Sequence, residues 1–294
     1  LINICVGIVG DQQGWKYLLE QEGIPHAAAD TTLSPDRYSA LVVSDGIDAV
    51  TLARVKQYLV RGGAVLCSGK VYSALERSPF QESFVKYIVD EPGSCFPGIG
   101  LIDLQHRCCI PAAAADLKTN KDEHAVVLEE FGKGYLVALP FDADKLVCDV
   151  RVTRKSFYAQ RMRLPFERVS AVSRAGIRTL VARSLELLHH RRGLPYLHVW
   201  YYPTNAQTIF SFRVDTDFAS ASEIDGLYAV AQKFSLPFTW FVHVKAQEEF
   251  LEQFSNMDGH EIGVHCYDHV VYDDIEQNAL NIRTAMKMLE SAGC

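Results

Sequence analysis

Two short stretches in the last third of the chain hold residue types capable of hydrolytic chemistry. In 209–217, which reads Ile-Phe-Ser-Phe-Arg-Val-Asp-Thr-Asp, a strand period of two puts Ser211, Arg213, Asp215 and Asp217 on one face and Phe210, Phe212 and Val214 on the other. Carboxylates so placed repel one another until a cation, a metal ion or a shared proton relieves them. An acidic strand end also serves simply to cap the next helix, so this stretch alone leaves both readings open. The second stretch is His265-Cys266-Tyr267-Asp268-His269. Along a continuing strand these imidazoles would stand ~13 Å apart, too far to share an ion with Zn–N distances of about 2.0–2.1 Å, whereas a turn after His265 brings them within reach. Asp217 with the two histidines would make a three-ligand site with an open position, the pattern of hydrolytic zinc centres.

The elements that must position these residues are three strand–helix units, with strands at 208–217, 238–244 and 261–265 and helices at 221–234, 246–256 and 273–291. Such units suit the opening of a (β/α) barrel, whose function collects at the C-terminal strand ends. Residues 1–150 alternate differently. Strands at 2–9, 40–44 and 64–67 and helices at 15–22 and 51–61, the latter stopped by Gly62-Gly63, predict a doubly wound parallel sheet of flavodoxin-like type. Hairpins follow from about Gly100, the clearest joining 125–130 to 135–139 across Phe131-Gly132-Lys133-Gly134. A long helix is expected over 167–190, with Val169, Val172, Leu180, Val181, Leu187 and Leu188 near helical spacing and Arg168, Arg174, Arg178 and Arg183 between them. These arginines read as a solvated face packing on acidic neighbours. Gly193-Leu194-Pro195 ends the helix, and 196–202 begins a strand.

Composition sets the frame. The 294 residues are 48% hydrophobic and 22% charged, which excludes disordered and fibrous classes, and no uncharged apolar run approaches the ~18 residues of a membrane span. A net charge of -7 argues against nucleic-acid partners. The charge is uneven: 13 basic and 20 acidic residues in 1–150, 11 and 2 in 151–192, and 5 and 14 in 193–294. Eight cysteines without a C-x-x-C pair predict a reducing, cytoplasmic setting, although the lack of an initiator Met leaves a processed leader open.

With these residues in view, 208–292 resembles the first part of a NodB-homology polysaccharide deacetylase. The family's first motif, usually Thr-Phe-Asp-Asp-Gly, stands here as Phe212-Arg213-Val214-Asp215-Thr216-Asp217, in a spaced Asp-x-Asp form. Its second, His-Ser/Thr-x-x-His-Pro, is His265-Cys266-Tyr267-Asp268-His269-Val270, approached through Gly259-His260-Glu261-Ile262-Gly263; Pro237 to Val242 resembles its second strand. The resemblance implies one divalent metal ion, zinc with cobalt, manganese or iron as alternatives, held by Asp217, His265 and His269, and Asp215 as catalytic base. It implies hydrolysis of a non-peptide carbon–nitrogen bond, foremost N-deacetylation of a carbohydrate. Cys266 and Val270 depart from the motif, and Thr216 leaves open which aspartate is base and which is ligand. Arg213, inside a barrel, needs an anionic partner, and orienting Asp215 is one assignment; another barrel carboxylate is the other. The first block resembles glutamine-amidotransferase-like accessory domains in topology.

Other features read as structural. Cys67-Ser68-Gly69 lacks a His-x-Glu partner, Gly69-Lys70 lacks the rest of a phosphate loop, and Cys108-Cys109, His189-His190, His243 and His260 are expected to be inert or structural. The expected organisation is an amidotransferase-like domain at 1–150, a basic helical connector at 151–195 and the first part of a deacetylase barrel at 196–294, since about 100 residues is roughly half of what a barrel needs. Substrate is then a carbohydrate or a small amide, with a homo-oligomer admitted. A non-catalytic saccharide-binding or assembly module that keeps the metal site is the rival reading.

Overall fold

The computed structural model describes residues 3–76, 79–159 and 162–294, the side chains of 155–159 and 162–167 excepted. It divides into two compact units, Leu1–Trp200 and Tyr201–Cys294. The first unit runs β1 (Val6–Val9), α1 (Gln13–Gln21), β2 (His26–Ala28), β3 (Ala40–Val43), α2 (Ala49–Val60), β4 (Ala64–Ser68), α3 (Gly69–Glu76), β5 (Phe80–Val89), β6 (Leu101–Pro111), β7 (Asp116–Thr119), β8 (His124–Phe131), β9 (Gly134–Leu139), α4 (Ala143–Val147), β10 (Val152–Ala159), β11 (Met162–Ser170) and α5 (Arg174–Arg191). The expected start of the first strand at residue 2 lies outside the described residues.

Nine strands form one sheet in the order β2-β1-β3-β4-β9-β8-β7-β5-β6. From β2 to β9 the neighbours are parallel, and from β9 onward antiparallel. The parallel strands read as unbroken apolar runs because both faces are covered. Ile8, Val42, Leu66 and Val137 point to the side of α1 and α5, where Trp15, Leu18, Leu180 and Leu185 meet them. Val9, Val43, Val65 and Leu136 point to α2 and α3, against Tyr58, Leu59 and Leu75. The mixed α/β class and the doubly wound sheet are therefore as the sequence pattern requires. Truncating the fully buried Leu41 to alanine is expected to cost about 2–5 kcal/mol of unfolding free energy, read as a lowered urea midpoint.

The N-terminus of α1 has no side-chain cap from its own residue, Gln12. Asp144, buried on α4, takes that place: its Oδ1 accepts the Trp15 amide at 2.9 Å. The helices touch so closely that a Cβ on Gly14 would lie 1.8 Å from the Asp144 carbonyl oxygen, so only glycine fits.

Three expectations for 151–202 are corrected. The helix placed at 167–190 begins only at Arg174, because Val169 belongs to a β10–β11 ladder (Thr153 opposite Val169, Val152 opposite Ser170) and Val172 packs into the sheet core. Two valines three apart imitate a helix face without forming one. Nor is α5 a free connector, since Ile177, Leu180, Val181, Leu185 and Leu188 are part of the first unit's core. Two of the four arginines meet acids, Arg178 with Glu22 at 2.8 Å and Arg183 with Glu186 at 2.8 Å, while Arg168 stands on β11. Residues 196–202 form no strand; the segment lies irregularly, with Val199 N–H donating to the Glu22 carbonyl at 3.3 Å.

The second unit holds β12 (Phe212–Asp215), α6 (Ala221–Phe234), β13 (Phe238–His243), α7 (Glu252–Ser255), β14 (Glu261–Cys266) and α8 (Ile275–Ser291), with a 3-10 segment at Val244–Phe250. The strands pair in parallel in chain order, giving three consecutive β/α units. The helix expected at 246–256 is replaced by the 3-10 segment and the single turn of α7. The strand expected at 208–217 is only four residues long, and Phe210 and Phe212 remain 79% and 38% exposed, so of that apolar face Val214 packs into the core and Phe212 covers it from outside, its ring stacked on Phe238 at 4.5 Å. Trp240, fully buried, donates its indole N–H to His260 Nδ1 at 3.0 Å, which bears out the structural reading of His260. No helix among the described residues is long and apolar enough to cross a membrane.

Candidate metal centre

Asp217, His265 and His269 converge at the C-terminal ends of β12 and β14. Asp217 Oδ1 lies 3.3 Å from His265 Nε2 and 3.3 Å from His269 Nε2. Among the described residues this is the one His/Cys/Asp/Glu group whose ligand atoms lie close enough to hold an ion, all within 4.8 Å of one another. Two ligands each about 2.0–2.1 Å from a tetrahedral centre stand roughly 3.3–3.4 Å apart, so the donor set fits such an ion without rearrangement of the Asp–His pairs.

Each of the three side chains is brought in by a local break in regular structure. After Asp215 the chain leaves the strand: Thr216 turns inward, and Asp217 adopts φ 39°, a left-handed conformation rare for a residue with a side chain. The expected single face carrying both aspartates therefore stops at Asp215. In the β13–β14 ladder Val242 pairs with Val264 and His243 with Cys266, which makes His265 the extra residue of a bulge, a device that re-aims a side chain. His269 sits in the loop beyond, where the imidazole rings of His265 and His269 come to 5.0 Å.

That loop has no sheet ladder to hold it. Asn281, buried on α8, substitutes: its Oδ1 accepts the amides of Tyr267 (2.9 Å) and Asp268 (2.8 Å), and its Nδ2 donates to the Asp268 carbonyl (2.8 Å). The Lys245 ammonium, 2.6 Å from Asp268, hydrogen-bonds that carboxyl and holds it below its usual range. Replacing Asn281 by leucine leaves these backbone groups unsatisfied and is expected to cost about 2–3 kcal/mol, read as a lowered urea midpoint of the second unit.

Asp215 stands outside the cluster. Arg213 Nε donates to its Oδ1 at 2.9 Å and Nη2 lies 3.4 Å from Oδ2, while the guanidinium also covers the Phe241 ring at 4.3 Å. The two aspartates thus divide as the geometry dictates: Asp217 faces the imidazoles and Asp215 faces a cation. Burial, with the Asp217 and Asp268 charges behind it, pushes the Cys266 thiol up and keeps it neutral. Beside the imidazoles a cavity of about 350 Å³ is lined by Cys266, Val270, Val271, Asn278, Asn281 and Ile282.

The residues set aside in the sequence behave accordingly. Burial pushes Cys67 far above the usual thiol range and Cys108 up to about 12. His189 is spent on the Leu185 carbonyl (2.7 Å) and Ser39 Oγ (2.8 Å). His243 is different. It is buried as expected, yet it lies at the site, its ring 5.4 Å from that of His269. Gln247 and Asn281 carry no signal in the sequence, and Thr216 enters it only as the spacer between the two aspartates, although the period that turns Val214 inward also turns Thr216 inward.

No protein-family model matches the chain, and no curated protein matches it. Among solved structures it is similar to a β-galactosidase from Bacillus circulans sp. alkalophilus, at 10% identity over 62% of this chain and 30% of that one, with a TM-score of 0.41. PurLQS from Thermotoga maritima is similar at 12% identity over 47% and 87%, TM-score 0.33, and cytoplasmic protein STM3548 from Salmonella typhimurium at 15% over 48% and 88%, TM-score 0.34. The chain spans about a third of the length of the mannosidase and β-galactosidases it matches. These likenesses are too distant to assign a function.

Proposed function

We propose that the chain carries a metal-dependent hydrolase of non-peptide carbon–nitrogen bonds, acting on an N-acetylated carbohydrate in the manner of NodB-homology deacetylases. The observation that carries this reading is the placement of one carboxylate oxygen 3.3 Å from two imidazole nitrogens. Asp217, His265 and His269 would hold the ion, with zinc suited to two nitrogens and one oxygen and cobalt, manganese or iron tolerated. Such an ion, when bound, supplies a lowered pKa for water and polarisation of an amide carbonyl.

The chain's own residues supply the proton handling. Arg213 donates to both oxygens of Asp215, from Nε to Oδ1 at 2.9 Å and from Nη2 to Oδ2 at 3.4 Å, and so fixes the carboxylate, with Oδ2 the more loosely held oxygen for taking up a proton. The Asp215 side chain is 40% exposed, so substrate and water reach it. Asp215 then serves as general base, and Arg213 acts through it as a positioning residue. The largely apolar wall of Val270, Val271 and Ile282 beside the imidazoles offers a surface for the uncharged part of a substrate.

The test is acetate release from N-acetylated saccharides by the natural protein, before and after chelation and after adding back zinc. Release that disappears with the chelator and returns with the ion is the expected result. Tight saccharide binding with no release by the metal-loaded protein would overturn the catalytic assignment in favour of a binding module.

A further inference from the structure

Three polar side chains in the second unit are almost wholly buried around one bend: Thr216 at 2%, His243 at 3% and Gln247 at 0% exposure. Burying polar groups costs free energy unless each is hydrogen-bonded. Here they are, and their partners are the backbone groups released when the chain leaves β12. Thr216 Oγ1 accepts the His243 amide at 2.9 Å and donates to Gln247 Oε1 at 2.7 Å. Gln247 Nε2 donates to the carbonyls of Thr216 (3.3 Å) and Ala219 (3.5 Å). His243 Nδ1 lies 2.7 Å from the Asp217 carbonyl, which can only accept, so that nitrogen carries the proton. The carbonyls of residues 216, 217 and 219 thus each accept from a side chain, that of Thr216 also from the Ala219 amide at 2.8 Å, and Asp217 itself holds φ 39°.

A non-glycine residue in the left-handed region persists only where its surroundings over-determine it. We propose that Thr216, His243 and Gln247 form a buried lock that fixes Asp217 in this conformation and so sets metal affinity, although none of the three is among the ligands. The lock reaches the site through two backbone points, the Thr216–Asp217 peptide and the Asp217 carbonyl. It rests on the reading of Asp217, His265 and His269 as a metal centre. Its three members are positioning residues.

Co²⁺ alone is the probe, titrated into the metal-free natural protein and followed by its visible absorption, which reports both affinity and coordination geometry. Thr216→Val, of equal size but without the hydroxyl, is expected to weaken Co²⁺ binding by about 10- to 100-fold, the range for losing an outer-shell partner, and to change the absorption band. Thr216→Ser, which keeps the hydroxyl, is expected to restore the native band and affinity to within about threefold. A merely structural role would move the urea midpoint of the metal-free protein and leave the band unchanged. His243→Leu is the second variant, judged by the same criteria if Thr216→Val does not fold. The lock is overturned if native protein binds Co²⁺, Asp217→Ala abolishes it, and both lock variants bind with native affinity and band. Native protein that binds no Co²⁺, or binds it equally without Asp217, overturns the metal centre itself and the lock with it.

Discussion

Asp217→Ala is expected to lose the divalent ion that the proposed centre would hold. Natural protein is expected to carry one ion per chain after dialysis. The alanine variant should weaken affinity by more than the about 10- to 100-fold typical of outer-shell changes, because one of three donor atoms is gone. His265→Ala should behave alike, and His190→Ala, at an exposed position on α5, should retain the full complement. Metal analysis of the purified variants checks this directly. Stoichiometric metal in Asp217→Ala would mean that the ion sits elsewhere.

The second large effect concerns turnover with the metal in place. Asp215→Asn keeps the shape of the side chain but cannot take up a proton, and a lost general base typically costs about 10²- to 10⁴-fold in kcat. Metal content should be unchanged, since Asp215 lies outside the ligand cluster. Arg213→Met should reduce kcat less, because Arg213 acts only by holding Asp215 in place, and should also leave metal content unchanged. Native kcat in Arg213→Met would separate Arg213 from the base and leave it a packing partner of Phe241.

What could be read from the sequence, and what could not, separates along a physical line. Patterns with a period survived. The alternation of buried strands and amphipathic helices in 1–150 was legible because both faces of a parallel sheet must be apolar, and β1, β3 and β4 occupy the expected places within a few residues. The hairpin joining β8 to β9 was legible from its glycines. Val169 and Val172 misled because a spacing of three is compatible with a helix, and only the partner strand β10, invisible from local pattern, decides for a ladder.

At the site, the ligand types and spacing were legible, whereas the means of bringing them together was not. A strand carries Asp217 past the position where it is useful, and only the bend at Thr216 returns it. That bend is specified by Gln247, some thirty residues away in sequence, through a 2.7 Å hydrogen bond. Likewise Asn281 has no signature in α8 that marks it as the clamp of the His269 loop. Side chains that satisfy backbone groups from a distance leave no periodic trace, and these were the ones missed.

The carboxylate of Asp144 at the start of α1 bears on what the first unit can take as cargo. In sheets whose parallel strands run in this order, an open crevice beyond the first strand and a bare helix start commonly seat a nucleotide's phosphate. Here the Trp15 amide at that helix start is bonded to Asp144, a carboxyl that burial pushes up. The Trp15 amide at the start of α1 is therefore already bonded to a carboxyl of the same unit, and an external anion would have to displace Asp144 to reach it.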